Sequence, residues 1–171
     1  MLLLKRLGPL VAALAFAHGA AAQTPQSIGS FKDWDAYSYG EKGAKVCYVA
    51  ATPLDSDPKN VRRGEIFFLV AHRPKDKVSD EVNLHMGYPL KPGTAVRVEI
   101  GGRRFELDIK DENAWTKSPA DDAKLVAAMI RGNEMIVRGT SRRGTRTVDR
   151  YSLLGFTAAH KAIDRACGVA K

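Results

Sequence analysis

The sequence predicts a mainly β domain: an immunoglobulin-like β-sandwich with two helices in its C-terminal half. Three observations support this prediction. From residue 31 the chain is a series of about eight short β-type segments separated by turn residues. Two of these segments pair as a hairpin in which both faces are complementary. Helix start and stop signals occur late in the chain, after Ser118 and before Gly168.

The first 22 residues predict a secretory signal peptide. Lys5 and Arg6 precede an apolar run, and the small residues from Ala20 to Ala22 match the pattern of a signal-peptidase cleavage site before Gln23. The apolar run is shorter than the roughly 20 residues that cross a bilayer, so we predict no transmembrane segment. We expect a flexible leader at 23–30, a single domain at 31–168 and a tail at 169–171.

The formal charge of the mature chain is moderately basic. Lys5 and Arg6 are the charged residues of the predicted signal peptide, so its removal lowers the charge from +8 to +6. A basic chain favours anionic partners. The basic residues are scattered among acids and the chain is predicted to be exported, so we expect no nucleic-acid partner.

The chain contains two cysteines, Cys47 and Cys167. In an oxidising compartment, two cysteines without a third predict one disulfide bond. Two free buried thiols or a nucleophilic cysteine are the alternatives, although the chain has no Cys-x-x-Cys motif.

The first half of the domain predicts four strands. Residues 31–39 and 45–52 form the first two, with a turn at 40–43 between them. Residues 66–71 are apolar on both faces, which predicts a central strand with both sides covered. Next, Val82 and Leu84 alternate with polar residues, which predicts a strand with one solvated face.

Residues 96–107 predict a hairpin with a two-residue turn at Gly101-Gly102. This turn places apolar residues opposite each other on one face and arginine opposite glutamate on the other. A slip of one residue would place apolar side chains opposite charged ones. The predicted pairs are Val96 with Leu107, Arg97 with Glu106, Val98 with Phe105, and Glu99 with Arg104.

A second hairpin is predicted over residues 134–153. A turn on Arg143-Gly144 would pair Arg138 with Asp149 and Ile136 with Tyr151. A three-residue loop with a β-bulge is the alternative, and it would shift this register.

The sequence predicts two helices. Ser118 caps the first, Asp121 completes a capping box, and Gly132 ends it. The second runs from about residue 156 to 167. Its apolar stripe is Phe156, Ile163 and Cys167, and its polar side is Lys161, Asp164 and Arg165.

The predicted mature chain offers no spacing typical of a catalytic or metal site. Its histidines, His72, His85 and His160, lie on different predicted elements and form no metal-binding motif. We predict no catalytic residue, no metal and no cofactor, with His160 as a half-buried packing residue and His85 as a solvated one. A hydrolase is the alternative function. It requires that the fold bring a histidine to an acid or hydroxyl inside a pocket.

Arginines are concentrated on the second hairpin and form a candidate anion-binding patch. Guanidinium groups bind phosphate, sulfate or carboxylate through paired hydrogen bonds. The alternative is a solvated edge hairpin whose charges prevent strand addition. The patch consists of Arg138, Arg142, Arg143, Arg146 and Arg150.

An ordered set of short motifs along the chain resembles the invasion-associated locus B family. No single motif is specific, but their order extends over nearly the whole predicted domain. The motifs start at Phe31, Lys45, Arg63, His72, Gly87, Arg138, Tyr151 and Gly155, and read FKDW, KVCY, RGEI, HRP, GYP, RGTS, YSL and GFT. The resemblance implies an exported Gram-negative envelope protein with a compact β-sandwich and an association, by family name, with entry into host cells. It implies no enzyme activity.

Together these observations predict a non-enzymatic binding module of the cell envelope. We expect a periplasmic location, with secretion or attachment to the outer surface as alternatives. The expected partner is an envelope or host protein, or an anionic envelope component, and the arginine hairpin is the candidate contact.

Overall fold

The computed structural model describes residues 24–40 and 44–169. The predicted signal peptide, Gln23 of the predicted leader, residues 41–43 of the predicted turn and the last two residues of the predicted tail lie outside these ranges. The described chain contains eleven strands, two α-helices and a short 3-10 helix. The elements are β1 Gln26–Phe31, β2 Trp34–Tyr39, β3 Val46–Ala51, β4 Asp55–Asp57, β5 Phe67–Arg73, the 3-10 helix Pro74–Asp76, β6 Val78–His85, β7 Val96–Ile100, β8 Arg103–Lys110, β9 Asn113–Trp115, α1 Pro119–Arg131, β10 Glu134–Thr140, β11 Arg146–Ser152 and α2 Phe156–Cys167.

The strands form one antiparallel sheet that folds into two facing layers. The order is β1-β2-β3-β5-β6-β9-β8-β7-β10-β11-β4. β8 belongs to both layers, because its first part pairs with β7 and its last part with β9. The predicted mainly β fold with two helices in the C-terminal half is confirmed, and the continuity of the sheet through β8 is a feature that the sequence pattern did not predict.

Aromatic side chains fill the core between the layers. The Trp34 ring on β2 contacts Phe156 of α2, with ring centroids 4.8 Å apart. Phe68 on β5 contacts Tyr151 on β11, with ring centroids 6.0 Å apart, and this contact joins the two layers directly. Trp34 Nε1 also donates a hydrogen bond of 2.9 Å to the backbone oxygen of Ser152. The buried indole therefore has its polar atom paired.

The hairpin of β7 and β8 has the predicted register. Val96 lies opposite Leu107 and Val98 opposite Phe105, and the arginine–glutamate pairs follow on the other face. Gly101 and Gly102 both have positive φ, +54° and +79°. That backbone suits a two-residue turn whose twist matches the strands.

The register predicted for the second hairpin is wrong by one residue. Arg138 lies opposite Val148, and Val137 opposite Asp149. The cause is the loop: the N–H of Ser141 donates to the oxygen of Thr145, and the N–H of Gly144 donates to the oxygen of Ser141. Three residues therefore connect the strands, which is the alternative considered from the sequence.

The predicted flexible leader is wrong over most of its length. Residues 26–30 belong to β1, which pairs with β2 from Gln26 opposite Ser38 to Phe31 opposite Trp34. The leader lacks the apolar alternation typical of a strand, because β1 lies at an edge of the sheet and only Ile28 and Phe31 of this strand pack against the core.

Strand β5 was predicted to have both sides covered, and among the described residues one side is open. Phe68 and Val70 are fully buried between the layers. On the opposite face, Leu69 lies beside Tyr37 and Tyr48 around a shallow cavity. The rings of Tyr37 and Tyr48 stack with centroids 5.3 Å apart, so aromatic side chains cover much of this outer face, with Arg73 and Glu81 also beside the cavity.

Both predicted helices are confirmed. Ser118 caps α1, where its side chain accepts a hydrogen bond from the N–H of Asp121, and Gly132 ends the helix. Helix α2 packs on β2 and β3 and ends at Gly168. Cys167 of α2 is joined to Cys47 of β3 by the predicted disulfide bond, with Cα atoms 6.0 Å apart.

Candidate functional site

The five arginines of the predicted patch are all exposed on the hairpin of β10 and β11. Arg138 lies 3.5 Å from Glu99, and Arg150 lies 3.8 Å from Glu134. These two guanidinium groups are therefore partly neutralised by ion pairs. Arg142, Arg143 and Arg146 form no ion pair with the residues that the structure describes.

Two of these arginines line a small cavity at one end of the sandwich. Its volume is about 260 Å³, and Arg62 lines it together with Arg142 and Arg143. The remaining lining residues are Gly87, Tyr88, Pro89 and Ser141. The N–H of Arg142 donates a 2.8 Å hydrogen bond to the oxygen of Pro89, which fixes the hairpin loop against the opposite wall. Three arginines from two separate parts of the chain thus line one space.

A buried ion pair holds the segment that carries Arg62. The Arg63 guanidinium donates to both carboxylate oxygens of Asp149, at 2.6 and 2.8 Å. It also donates to the backbone oxygen of Met86 and lies 4.9 Å from the centre of the Tyr88 ring. The side chains of Arg63 and Asp149 are 8% and 0% exposed. This pair positions the cavity wall without being available to a ligand.

The sequence reasoning missed Arg62 and Arg63. They precede Gly64 and lie about 80 residues before the arginine hairpin, so no local spacing connects them with it. The available signal was the pair of adjacent arginines before a glycine, of which Arg63 begins one of the motifs used for the resemblance.

A second cluster of polar residues lies buried where α2 crosses β5 and β6. One carboxylate oxygen of Asp164 lies 3.0 Å from His72 Nε2. Its other oxygen lies 3.2 Å from His160 Nδ1. His160 Nε2 lies 2.7 Å from Asp80 Oδ1. His72 and His160 are 0% and 2% exposed. His160 was predicted as half-buried and is in fact buried, because Asp80 and Asp164 satisfy its ring nitrogens.

The hydrogen bonds define the protonation of His72. The backbone N–H of Asp80 donates to His72 Nδ1 at 3.0 Å, so this nitrogen carries no proton. The proton is on Nε2, which donates to Asp164. Burial lowers the pKa of His72, with a smaller effect in the same direction from His160, while Asp80 and Asp164 act in the opposite direction. The ring is therefore neutral at pH 7.

Parts of this cluster were visible in the sequence. His72 follows Phe68 and Val70 at alternating positions, which places it on the inner face of β5. His160 and Asp164 are four residues apart on α2 and share a side of the helix. Asp164 was assigned to the polar side of α2, and the structure turns it towards His72 instead.

The third histidine lies apart from this cluster. His85 stacks on Phe67, with ring centroids 5.1 Å apart, and its Nδ1 lies 3.1 Å from Asn113 Oδ1. His85 Nε2 also lies 3.4 Å from Glu112. Contacts between histidine and acid, which a hydrolase requires, exist around His72 and His160 as well. The rings of His72 and His160 are closed to solvent, so a substrate cannot reach these two residues in this conformation.

A larger cavity of about 760 Å³ lies beside β6 and the start of α1. Asp122 borders it and accepts hydrogen bonds from the N–H of Val82 at 2.9 Å and from Thr116 Oγ1 at 2.7 Å. Burial raises the pKa of Asp122, and the charges of Glu81 and Asp80 raise it further, against the effect of the two hydrogen bonds. The negative form of Asp122 is thus disfavoured by folding.

The raised pKa of Asp122 predicts the pH dependence of an Asp122→Asn variant. An acid with a higher pKa in the folded state binds more protons when folded, so its contribution to stability falls as pH rises through that pKa. Asparagine keeps an oxygen acceptor and cannot ionise. We expect the stability of the variant relative to the natural protein to increase from pH 3 to pH 7 in urea denaturation. Parallel pH profiles would contradict the assignment.

Among the described helices, none combines the length and apolar character needed to cross a membrane. The fold and the candidate site define a mainly β domain with one disulfide bond and with exposed arginines lining a small cavity.

Comparison with known families identifies the family. The model of the invasion associated locus B (IalB) protein family matches residues 34–164, so the chain belongs to this family. The crystal structure of invasion associated protein B from Bartonella henselae is similar in fold. It has a TM-score of 0.60 at 15% sequence identity, over 84% of this chain and 99% of that one. No curated protein matches the sequence.

Proposed function

We propose that this protein is an exported, non-enzymatic envelope module that binds anionic groups at its arginine-rich end. The observation that carries the proposal is the convergence of Arg62, Arg142 and Arg143 on one cavity of about 260 Å³. None of the three forms an ion pair with another described residue. Arginine suits phosphate and carboxylate groups because its planar guanidinium donates paired hydrogen bonds.

The walls of this cavity are held by contacts that do not involve the three arginines' side chains. The backbone oxygen of Pro89 accepts a hydrogen bond from the N–H of Arg142, and Ser141 forms an isolated antiparallel β-bridge with Leu90. On the other wall, the buried pair of Arg63 and Asp149 anchors the segment next to Arg62. A pre-organised site loses less free energy on binding than one that must first become ordered.

Export is a further part of the proposal. It is supported by the basic and apolar segment before Gln23 and by the bond between Cys47 and Cys167. Mass spectrometry of the protein in the periplasmic fraction is expected to give a chain that begins at Gln23. The name of the family favours a role in contact with host cells, and recovery of the protein from the culture medium would favour secretion over a periplasmic location.

Replacing Arg142 and Arg143 with glutamine tests the binding site. We expect the mature double variant to bind phosphatidylglycerol vesicles roughly thirtyfold more weakly, since each arginine near an anionic surface contributes about 1 kcal/mol. Both side chains are exposed, so we expect no change in Tm. Vesicle co-sedimentation at low and physiological salt measures the effect.

The matched control is the double variant Arg103→Gln, Arg104→Gln. It removes the same charge from the start of β8, next to the turn that joins β7 and β8. The pairing of β7 with β10 places that turn at the opposite end of the sheet from the arginine loop. Binding that falls equally in both variants would show that net charge alone is responsible, and would contradict the proposed site.

A further inference from the structure

We propose that His72, Asp80 and His160 form a binding site for one divalent transition-metal ion, with Zn²⁺ as the best fit, and that Asp164 positions the two rings. This site is independent of the arginine-rich end. It lies where α2 crosses the inner face of β5, and one donor atom from each of the three proposed ligands lies within 4.8 Å of the others.

The distances between the proposed ligand atoms are near those of a metal site but do not yet match them. In a tetrahedral site with bonds of about 2.0 Å, ligand atoms lie roughly 3.3 Å apart. Asp80 Oδ1 is 2.7 Å from His160 Nε2 and 4.0 Å from His72 Nδ1. One distance is shorter than the ideal and the other is longer. A shift of the Asp80 carboxylate by less than 1 Å towards His72 would bring both near the required value. The ligand nitrogens of the two rings lie within 4.8 Å of each other, so the rings would also have to approach.

Asp164 supplies the outer contacts that metal-binding histidines usually have. A histidine that binds a metal through one ring nitrogen commonly donates the other N–H to a carboxylate, which fixes the tautomer and the ring orientation. Asp164 makes this hydrogen bond with His72 Nε2 at 3.0 Å, and its other oxygen lies 3.2 Å from His160 Nδ1. The remaining nitrogens, His72 Nδ1 and His160 Nε2, both face Asp80.

The charges of the cluster also favour a cation. Two acidic side chains, Asp80 and Asp164, lie against the two imidazole rings in a largely buried site. His160 Nε2 is 2.7 Å from a carboxylate oxygen, so either a proton or a metal ion must lie between these atoms. A divalent ion would balance both carboxylates. It would also replace the hydrogen bond that the Asp80 N–H now donates to His72 Nδ1.

The donor set selects the class of metal. Two imidazole nitrogens and one carboxylate oxygen suit zinc, copper or nickel, whereas calcium and magnesium prefer oxygen ligands throughout. Asp80 also borders the cavity of about 760 Å³ beside β6, which offers a route for the ion and a position for a water ligand.

The test is metal binding by the mature, disulfide-bonded chain after treatment with a chelator. Elemental analysis after Zn²⁺ loading and desalting is expected to show one ion per chain, and Co²⁺ loading is expected to give the visible absorption of a four-coordinate site. Asp164→Asn is expected to weaken Zn²⁺ affinity about tenfold to a hundredfold in isothermal titration calorimetry, as loss of an outer-shell partner does elsewhere. His160→Gln is expected to remove binding.

Each result decides the proposal. Because His160→Gln could prevent folding, the natural chain provides the primary result: absence of bound Zn²⁺ at micromolar concentration would mean that protons alone hold the cluster, and would overturn the proposal. His85→Gln is the control and is expected to bind normally. Unchanged Zn²⁺ affinity in folded Asp164→Asn and His160→Gln variants would place the ion elsewhere and would also overturn it.

Discussion

Replacing both Cys47 and Cys167 with alanine is expected to lower the free energy of unfolding by about 5 kcal/mol. The bond joins residues 120 positions apart, so its loss releases nearly the whole domain from one closed loop. In the chain-entropy model this freedom is gained by the unfolded state, and the folded contacts are unchanged. Urea denaturation of the variant and the natural protein under the same conditions measures the difference.

Reduction of the natural protein provides the control for this experiment. Dithiothreitol is expected to shift its urea transition to that of the double variant and to leave the variant unaffected. A stability loss below about 1 kcal/mol would show that the reduced unfolded chain is already compact. It would also show that packing of α2 on β2 and β3, together with the contacts of Asp164, holds the helix without the disulfide.

The second large effect is expected for Arg63→Met. The substitution leaves the Asp149 carboxylate, which is 0% exposed, without its charged partner. Removing one member of a buried ion pair typically lowers the free energy of unfolding by about 3 to 5 kcal/mol, because the other charge remains buried and uncompensated. The stacking of Arg63 on Tyr88 is lost as well. Thermal and urea unfolding of the variant check this result.

Arg62→Met is the matched control, because the neighbouring arginine is exposed and we expect its replacement to change stability by less than about 0.5 kcal/mol. A double variant, Arg63→Met with Asp149→Asn, tests the mechanism. Removing both charges is expected to recover part of the free energy of unfolding that Arg63→Met alone removes. If the two single effects simply add, the cost does not come from an unpaired Asp149.

The two hairpins show what a sequence can specify about strand register. In the hairpin of β7 and β8, only one register pairs Val98 with Phe105 and Glu99 with Arg104. In the second hairpin, Ile136 and Val148 lie on the outer face among charged residues, so both registers offer acceptable neighbours. The loop decides between them through its own hydrogen bonds, and these depend on backbone geometry that residue types alone do not determine.

The candidate sites show a similar limit. The concentration of arginines on the hairpin was predictable because those residues are close in sequence. The cavity was not predictable, because Arg62 reaches it from a distant segment. Likewise, His72 and Asp164 are 92 positions apart and meet only because α2 packs against β5. Patterns of local spacing describe single elements, whereas these sites are formed by contacts between elements.

The sharing of strand β8 between the two layers has a consequence for how the protein denatures. Because β8 pairs with β7 through its first part and with β9 through its last, neither layer can lose its hydrogen-bonded neighbours without disturbing the other. A sandwich of two unconnected sheets has no such strand. The domain should therefore behave as one cooperative unit, with coincident loss of secondary structure and aromatic packing and with equal calorimetric and van't Hoff enthalpies.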